Sequence, residues 1–334
     1  MQIILSLDTG GMRGITQIVI LNYIEQKIQE ILGDKRIKLI NVVDLITGTS
    51  SSSFIAGLML IPSENFPWGK FSMQEILEIY LKVSKNIFKK KLLYRIKTLW
   101  GFRGPKYPDD NLEMPLFIQI DHYKLKDLLK TCLFIGYDIN QKKVNIYTNN
   151  DSKCNDYYLK DIIRGSLTIP AYFNPAYFRD GVNINTIIDG GLLGSNPSIL
   201  AFSELIKTTD PKDILMISIG AGKSSRAGLI YNKVKKWGKN KWYLHLIDII
   251  LSASSEISHY ELESIFKSIG KSENYKRLNG SLFYSHSSQF DVSKENLTNL
   301  YKDAKEYVEL NKDCLDDIAK RISENSKFMK MIEE

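Results

Sequence analysis

Val42-Val43-Asp44-Leu45-Ile46-Thr47-Gly48-Thr49-Ser50-Ser51-Ser52 is an apolar, β-branched run that ends at a glycine and then serines, before Phe54, Ile55, Leu58 and Met59. The apolar part predicts a buried strand. The glycine and the small residues after it predict a sharp strand-to-helix bend that exposes the Ser50 hydroxyl at its apex. A plain Gly-Thr-Ser loop carries the same local signature, so other parts of the chain decide what Ser50 does.

Upstream, Ile3 to Leu7 predicts a strand that runs into Asp8-Thr9-Gly10-Gly11-Met12-Arg13-Gly14, and Leu21, Ile24, Ile28, Ile31 and Leu32 then recur at helical spacing. A glycine turn at a helix N-terminus presents backbone N–H groups and the positive end of the helix dipole, which together attract an anion. The anion is either a nucleotide phosphate or an oxygen that turns negative during a reaction. The run does not fit the Gly-x-Gly-x-x-Gly dinucleotide pattern.

Downstream, Ser72-Met73-Gln74-Glu75 is a capping box. It opens a helix with Ile76, Tyr80, Val83 and Ile87 inward. Residues 101–115 have loop composition, and Asp121 is expected to cap a helix carrying Leu125, Leu128, Leu129 and Cys132 on one face. A strand is predicted over Val144–Thr148 and a short helix over Leu159–Arg164. A second glycine turn, Ile187-Ile188-Asp189-Gly190-Gly191, places an aspartate at a strand end. A helix over Pro197–Ile206 leads to a strong strand at Ile214–Ile219, closed by Gly220-Ala221-Gly222. The remainder predicts a helix over about 243–269 and one long helix with Leu297, Leu300, Ala304, Tyr307, Asn311, Leu315, Ile318 and Ile322 in phase.

Strands alternating with helices predict a three-layer α/β/α fold whose central sheet is mostly parallel and covered on both faces. No linker divides the chain. One domain is expected over 1–334, with a core at about 3–222 and a helical part at about 230–325 packed on the same body. Ligands of such sheets collect at the carboxyl ends of the strands. The glycine turn, Ser50 and Asp189 are therefore expected on one rim. A serine nucleophile, a base and N–H groups for an oxyanion make an acyl-transfer site.

Of the 334 residues, 43% are hydrophobic, and the formal charge is +7. No apolar run reaches the ~18–20 residues of a membrane span. The three cysteines, Cys132, Cys154 and Cys314, are scattered. They suit reduced thiols better than a disulfide framework or a zinc site. The first residues read as a strand without a signal-peptide pattern, so a cytoplasmic protein, peripheral at membranes, is expected. Export by a leaderless route is the alternative.

The motifs Asp8-x-Gly10-Gly11-x-x-Gly14, Gly48-x-Ser50, Ser166-x-x-x-Pro170-x-Tyr172-Phe173, Asp189-Gly190-Gly191 with Asn196-Pro197, and Ile217-Ser218-Ile219-Gly220-x-Gly222 occur in one order. In order and spacing they resemble the patatin-like phospholipases. Ser252 to Ser255 and Asn274-Tyr275-x-Arg277 are similar to that family's C-terminal part, so the resemblance spans about residues 3–320. It implies a calcium-independent lipid acyl hydrolase without cofactor, with Ser50 as nucleophile and Asp189 as general base. The N–H groups around Gly10, Gly11, Met12 and Arg13 would form the oxyanion hole, with Gly48, Ser52, Gly190 and Gly191 supporting the two turns. None of His122, His245, His259 and His286 lies in a triad context. Where the family usually has glycine, this chain has Thr9 and Ser52. A threonine held at positive φ would cost roughly 1–3 kcal/mol and tilt the oxyanion turn. Restraint of the enzyme by a small signal such as a cyclic nucleotide, or by a host factor, is one alternative. A lipid-binding or storage protein with a weakened site is another.

Two stretches interleave cations with aromatics, Lys89 to Trp100 and Lys233 to Tyr243. Solvated faces, nucleic-acid binding and a membrane interface all give such a pattern. No nucleic-acid module surrounds them. Lysine attracts anionic headgroups, and tryptophan and tyrosine favour the interfacial zone, so a phospholipid surface is the expected partner. The first stretch, with Leu92, Leu93, Ile96 and Leu99, is expected to be a lid or lipid-access element.

Overall fold

A computed structural model of the chain describes residues 1–64, 68–89, 94, 98, 103–180, 183–224, 228–285 and 288–325. In chain order the elements are β1 (Gln2–Leu7), α1 (Gly14–Leu32), β2 (Leu45–Gly48), α2 (Ser51–Leu60), α3 (Met73–Ile87), α4 (Asp110–Ile120), β3 (Thr131–Asp138) and β4 (Lys143–Thr148). They continue with α5 (Leu159–Ser166), β5 (Ala176–Asp180), β6 (Asn183–Asp189), α6 (Ser198–Leu205), β7 (Ile214–Ile219), β8 (Lys223–Ser224), α7 (Tyr231–Val234) and α8 (Lys239–Ser268). The last are β9 (Tyr275–Leu278), β10 (Ser281–Leu282), α9 (Lys294–Leu310) and α10 (Lys312–Ser323).

β1 is the middle of the parallel part of the sheet, paired with β2 on one side and β7 on the other, with β3 and β9 parallel beyond them. Strand residues alternate between the two faces. Ile3, Leu5 and Leu7 accordingly join the large core with Ile46, Leu215, Ile217 and Ile219. Ile4 faces a smaller core with Leu45, Ile214 and Met216. On the large-core side α1 packs on α2, α3, α9 and α10; on the other, α6 lies on β1 and β2 and contacts α8. The expected three layers and the mostly parallel sheet are both present.

The sheet is mixed at the β3 end. β4 pairs antiparallel along most of one edge of β3, from Leu133↔Thr148 to Asp138↔Lys143. The other edge is shared. β2 occupies Thr131–Leu133, and β6, running antiparallel, occupies Gly136–Asp138. β5 extends β6 as a hairpin.

Three expectations fail for physical reasons. The helix expected to run from Asp121 to Cys132 is instead a short 3-10 turn, Leu125–Asp127, followed by β3. Leu125, Leu128, Leu129 and Cys132 have helical spacing. However, Cys132-Leu133-Phe134-Ile135 is a continuous apolar run buried on both faces, which a central strand satisfies. The loop expected over residues 101–115 contains the first half of α4, started by Leu112 and Glu113 N–H groups on the Asp109 carbonyl. The single C-terminal helix breaks at Asn311, which leaves helical geometry at φ −119° and turns its side-chain amide onto the Tyr307 carbonyl. Its apolar phase continues across the break because both pieces pack on α1.

Candidate active site

β2 ends at Gly48, where an added Cβ would fall against the Ser52 backbone carbonyl. Only a glycine lets the strand and α2 approach so closely. Ser50 is the residue between them, at φ 53° and ψ −129°. Positive φ in a non-glycine residue costs roughly 1–3 kcal/mol and persists only where surroundings enforce it. Here the Ser50 N–H donates to Ser166 Oγ at 3.1 Å, and the Ser50 carbonyl accepts from the Ser53 N–H at 3.0 Å and the Ser53 hydroxyl at 2.6 Å. Among the four serines from 50 to 53, the strained apex is Ser50. Ser51, Ser52 and Ser53 are already in the helix.

The Asp189 carboxylate faces the Ser50 side chain, close enough for the hydroxyl to favour its charged form, and a Cβ on Gly191 would lie 2.9 Å from Asp189 Oδ1 and 3.5 Å from Ser50 Cβ. Both residues are buried, at 3% and 2% exposure. Asp189 accepts the Gly191 N–H at 2.7 Å. Burial pushes its carboxyl up to about 7, against the Ser50 hydroxyl and the Gly191 N–H, which favour the charged form. A base poised near neutrality is suited to taking a proton from a hydroxyl. The glycines after it are required by close approach. A Cβ on Gly190 would strike the Ile135 backbone, and one on Gly191 would strike the Thr9 hydroxyl and Asp189 itself.

The first glycine turn lies beside them. Gly11 adopts φ +52°, and Gly11 and Ser50 line one apolar pocket of about 30 Å³ with Phe54, Phe88, Phe173 and Phe290. The Arg13 N–H turns back onto the Gly10 carbonyl at 3.0 Å. The Met12 N–H donates to the Gln289 carbonyl at 2.8 Å. Neither the Gly10 nor the Gly11 N–H has an acceptor among the described residues.

Thr9 does not adopt positive φ, so the expected strain is absent. Its hydroxyl pairs with that of Thr49 at 2.9 Å, tying the glycine turn to the elbow. Ser52 contributes more than small size. Its hydroxyl lies 2.6 Å from the Asp8 carbonyl and 2.7 Å from the Gln17 amide oxygen, linking α2 to β1. The glycine-to-serine difference has therefore become a tether.

Sequence reasoning assigned no role to several residues that hold this arrangement. Arg277 clamps Asp8 bidentately at 2.8 and 2.6 Å and also donates to Ser218 and Ser255. This buried pair fixes the start of the glycine turn to β7, α8 and β9. The motif Asn274-Tyr275-x-Arg277 was visible, but its target lies 269 residues away. Gln289 and Phe290 carry no motif. Most of the expected lid, Lys89 to Trp100, lies outside the described residues.

The sequence model of the patatin-like phospholipase family matches residues 5–202, which hold Ser50, Asp189 and the glycine turn. This chain belongs to the patatin-like phospholipase family. Patatin-like protein 4 of Arabidopsis thaliana is 26% identical over 330 residues, covering 89% of this chain and 81% of its own. Patatin group M-3 of Solanum tuberosum is 26% identical over 316 residues, covering 87% and 79%. A crystal structure of VipD from Legionella pneumophila aligns with a TM-score of 0.38 at 14% identity, over 92% of this chain and 67% of that one. The patatin-like reading makes this protein a hydrolase of the phospholipase type. Among the described residues no helix is long and apolar enough to cross a membrane.

Proposed function

We propose that this patatin-like chain is a calcium-independent lipid acyl hydrolase that cleaves acyl esters of glycerophospholipids through Ser50 and Asp189. The carrying observation is the buried Asp189 carboxylate facing Ser50, itself buried at a strained elbow beside the glycine turn. Asp189 takes the Ser50 proton as the oxygen attacks the ester carbonyl. The carbonyl oxygen becomes an oxyanion next to the turn's N–H groups, which stabilise charge best in a water-poor site. The C–O bond then breaks, the alcohol leaves with the proton from Asp189, and the acyl group stays on Ser50. A water, deprotonated by Asp189, attacks the acyl-enzyme and releases the fatty acid and Ser50.

α8 supports an anionic bilayer as the partner. Trp242, Leu246, Ile249 and Ile250 are exposed at helical spacing, and residues 229–247 contain five lysines and no acidic residue. Lys233, Lys235, Lys236, Lys239 and Lys241 are all exposed. Asp248 and Leu251 of the same helix line a polar cavity of about 350 Å³ that it shares with Thr9 and Arg13.

The test is product analysis by mass spectrometry on mixed phospholipid vesicles, with a chelator present, alongside fluorophosphonate labelling. Hydrolysis and labelling are expected to disappear in Ser50→Ala. Full turnover in that variant would overturn the assignment.

A further inference from the structure

We infer that the segment Ser288–Phe290 occupies the place of the substrate ester and holds the site closed. The inference rests on the hydrolase reading of Ser50 and Asp189 and concerns the regulation of that same site.

Three observations meet on this segment. The Gln289 backbone carbonyl accepts the Met12 N–H at 2.8 Å, and Met12 belongs to the turn expected to bind the oxyanion. A peptide carbonyl there stands where the ester carbonyl of a substrate would point. The contact is close enough that a Cβ on Gly11 would run into that same carbonyl. The next residue, Phe290, forms one wall of the apolar pocket that contains Ser50, with its ring centroid 4.4 Å from that of Tyr172 and 5.7 Å from that of Phe88. It sits where an acyl chain would be drawn beside the nucleophile. On its other side Gln289 borders the 350 Å³ polar cavity lined by Arg13, Lys223 and Asn279.

Carbonyl, apolar tail and polar cavity follow one another as carbonyl, acyl chain and polar alcohol follow one another in a lipid ester. The segment thereby marks subsites: the acyl chain replaces Phe290, and the glycerol and headgroup lie toward Arg13 and Lys223.

The flanks are fastened to α9. Asp303, buried in that helix, accepts the N–H groups of Phe283, Tyr284 and Ser285 at 2.8 to 3.0 Å. Asn296, also in α9, donates to the Asp291 carbonyl at 2.8 Å. Both anchors can persist while Ser288–Phe290 lifts, so opening does not require α9 to move. A substrate binds only the open fraction, and its apparent affinity falls by that fraction.

The experiment compares the full chain with Phe290→Ala and with the double variant Gln289→Gly/Phe290→Gly. Hydrogen exchange at Met12 reads the segment without reference to catalysis. Labelling of Ser50 by a fluorophosphonate, followed by intact mass, reads access to the nucleophile. Removing this half-buried phenyl group should raise both rates by about tenfold or more in each variant. Faster exchange with no labelling in any form supports the closed segment and overturns the hydrolase reading. Exchange unchanged in both variants, or wild type labelled as fast as the variants, overturns the closed segment.

Discussion

Asp189 reaches Ser50 because their strands run head-on along one edge of β3. Thr47 of β2 lies opposite Leu133, and Asp189 of β6 lies opposite Gly136, three positions further along β3. At about 3.3 Å per residue that leaves roughly 10 Å, which the turn after Gly48 fills. Had β6 lain beside β2 as an ordinary antiparallel neighbour, its carboxyl end would have been at the opposite rim. Sharing the edge of β3 brings two carboxyl ends together from opposing directions.

The Asp189 carboxyl, raised by burial to about 7, sets the acid limb of the pH profile. Only its carboxylate can act as base, so kcat/KM on a soluble ester should fall as pH drops below about 7. The stability effect has the opposite sense. The unfolded carboxyl titrates near ~3.9, so between that pH and about 7 the folded chain binds the extra proton and loses stability as pH rises. Asp189→Asn should abolish hydrolysis yet raise thermal stability at pH 8. The gain is on the order of 4 kcal/mol from the pKa difference, and it should vanish near pH ~4. Equal melting shifts at the two pH values would contradict this.

Thr9→Gly restores the residue usual in the family and should bring no gain in rate. Position 9 needs no positive φ, whereas the buried pair with Thr49 is lost. Denaturant unfolding should show a loss of about 1 kcal/mol. Ser52→Ala should cost a similar ~1 kcal/mol by removing the tether to Asp8 and Gln17. A clear rise in kcat for Thr9→Gly would show that the turn is strained after all.

Arg277→Met leaves the Asp8 carboxylate buried without its guanidinium. Breaking one partner of a buried pair costs about 3–5 kcal/mol, so thermal unfolding should drop sharply. Arg277→Lys should recover part of that stability, since lysine keeps the charge but cannot donate bidentately. A melting temperature unchanged in Arg277→Met would remove the clamp from the account of the glycine turn.

The lysines before and within α8 should set vesicle affinity. Each contributes about 1 kcal/mol near an anionic surface. Reversing Lys233, Lys235 and Lys236 to glutamate should abolish cosedimentation with anionic vesicles at low salt. Hydrolysis of a soluble short-chain ester should stay as in wild type, because none of the three touches the site. Undiminished binding to anionic vesicles would place the membrane contact elsewhere.

What the sequence by itself determined was local. Strand, glycine and serine at 42–52 dictate an elbow because only small residues allow a strand and helix to approach so closely. The glycine turn after β1 dictates clustered N–H groups at a helix start, and Asp189-Gly190-Gly191 gives a carboxylate on which backbone can close. Tertiary structure decided the rest. Helical spacing at 125–132 gave way to a strand because β3 is buried on both faces. Thr9 and Ser52 became tethers once β1 and α2 were adjacent. Arg277 found Asp8 across the sheet. Gln289, with no motif to mark it, came to rest on the Met12 N–H because its flanks are fastened to α9. Periodicity reports which faces are apolar, but pairing between distant segments depends on which surfaces folding brings together.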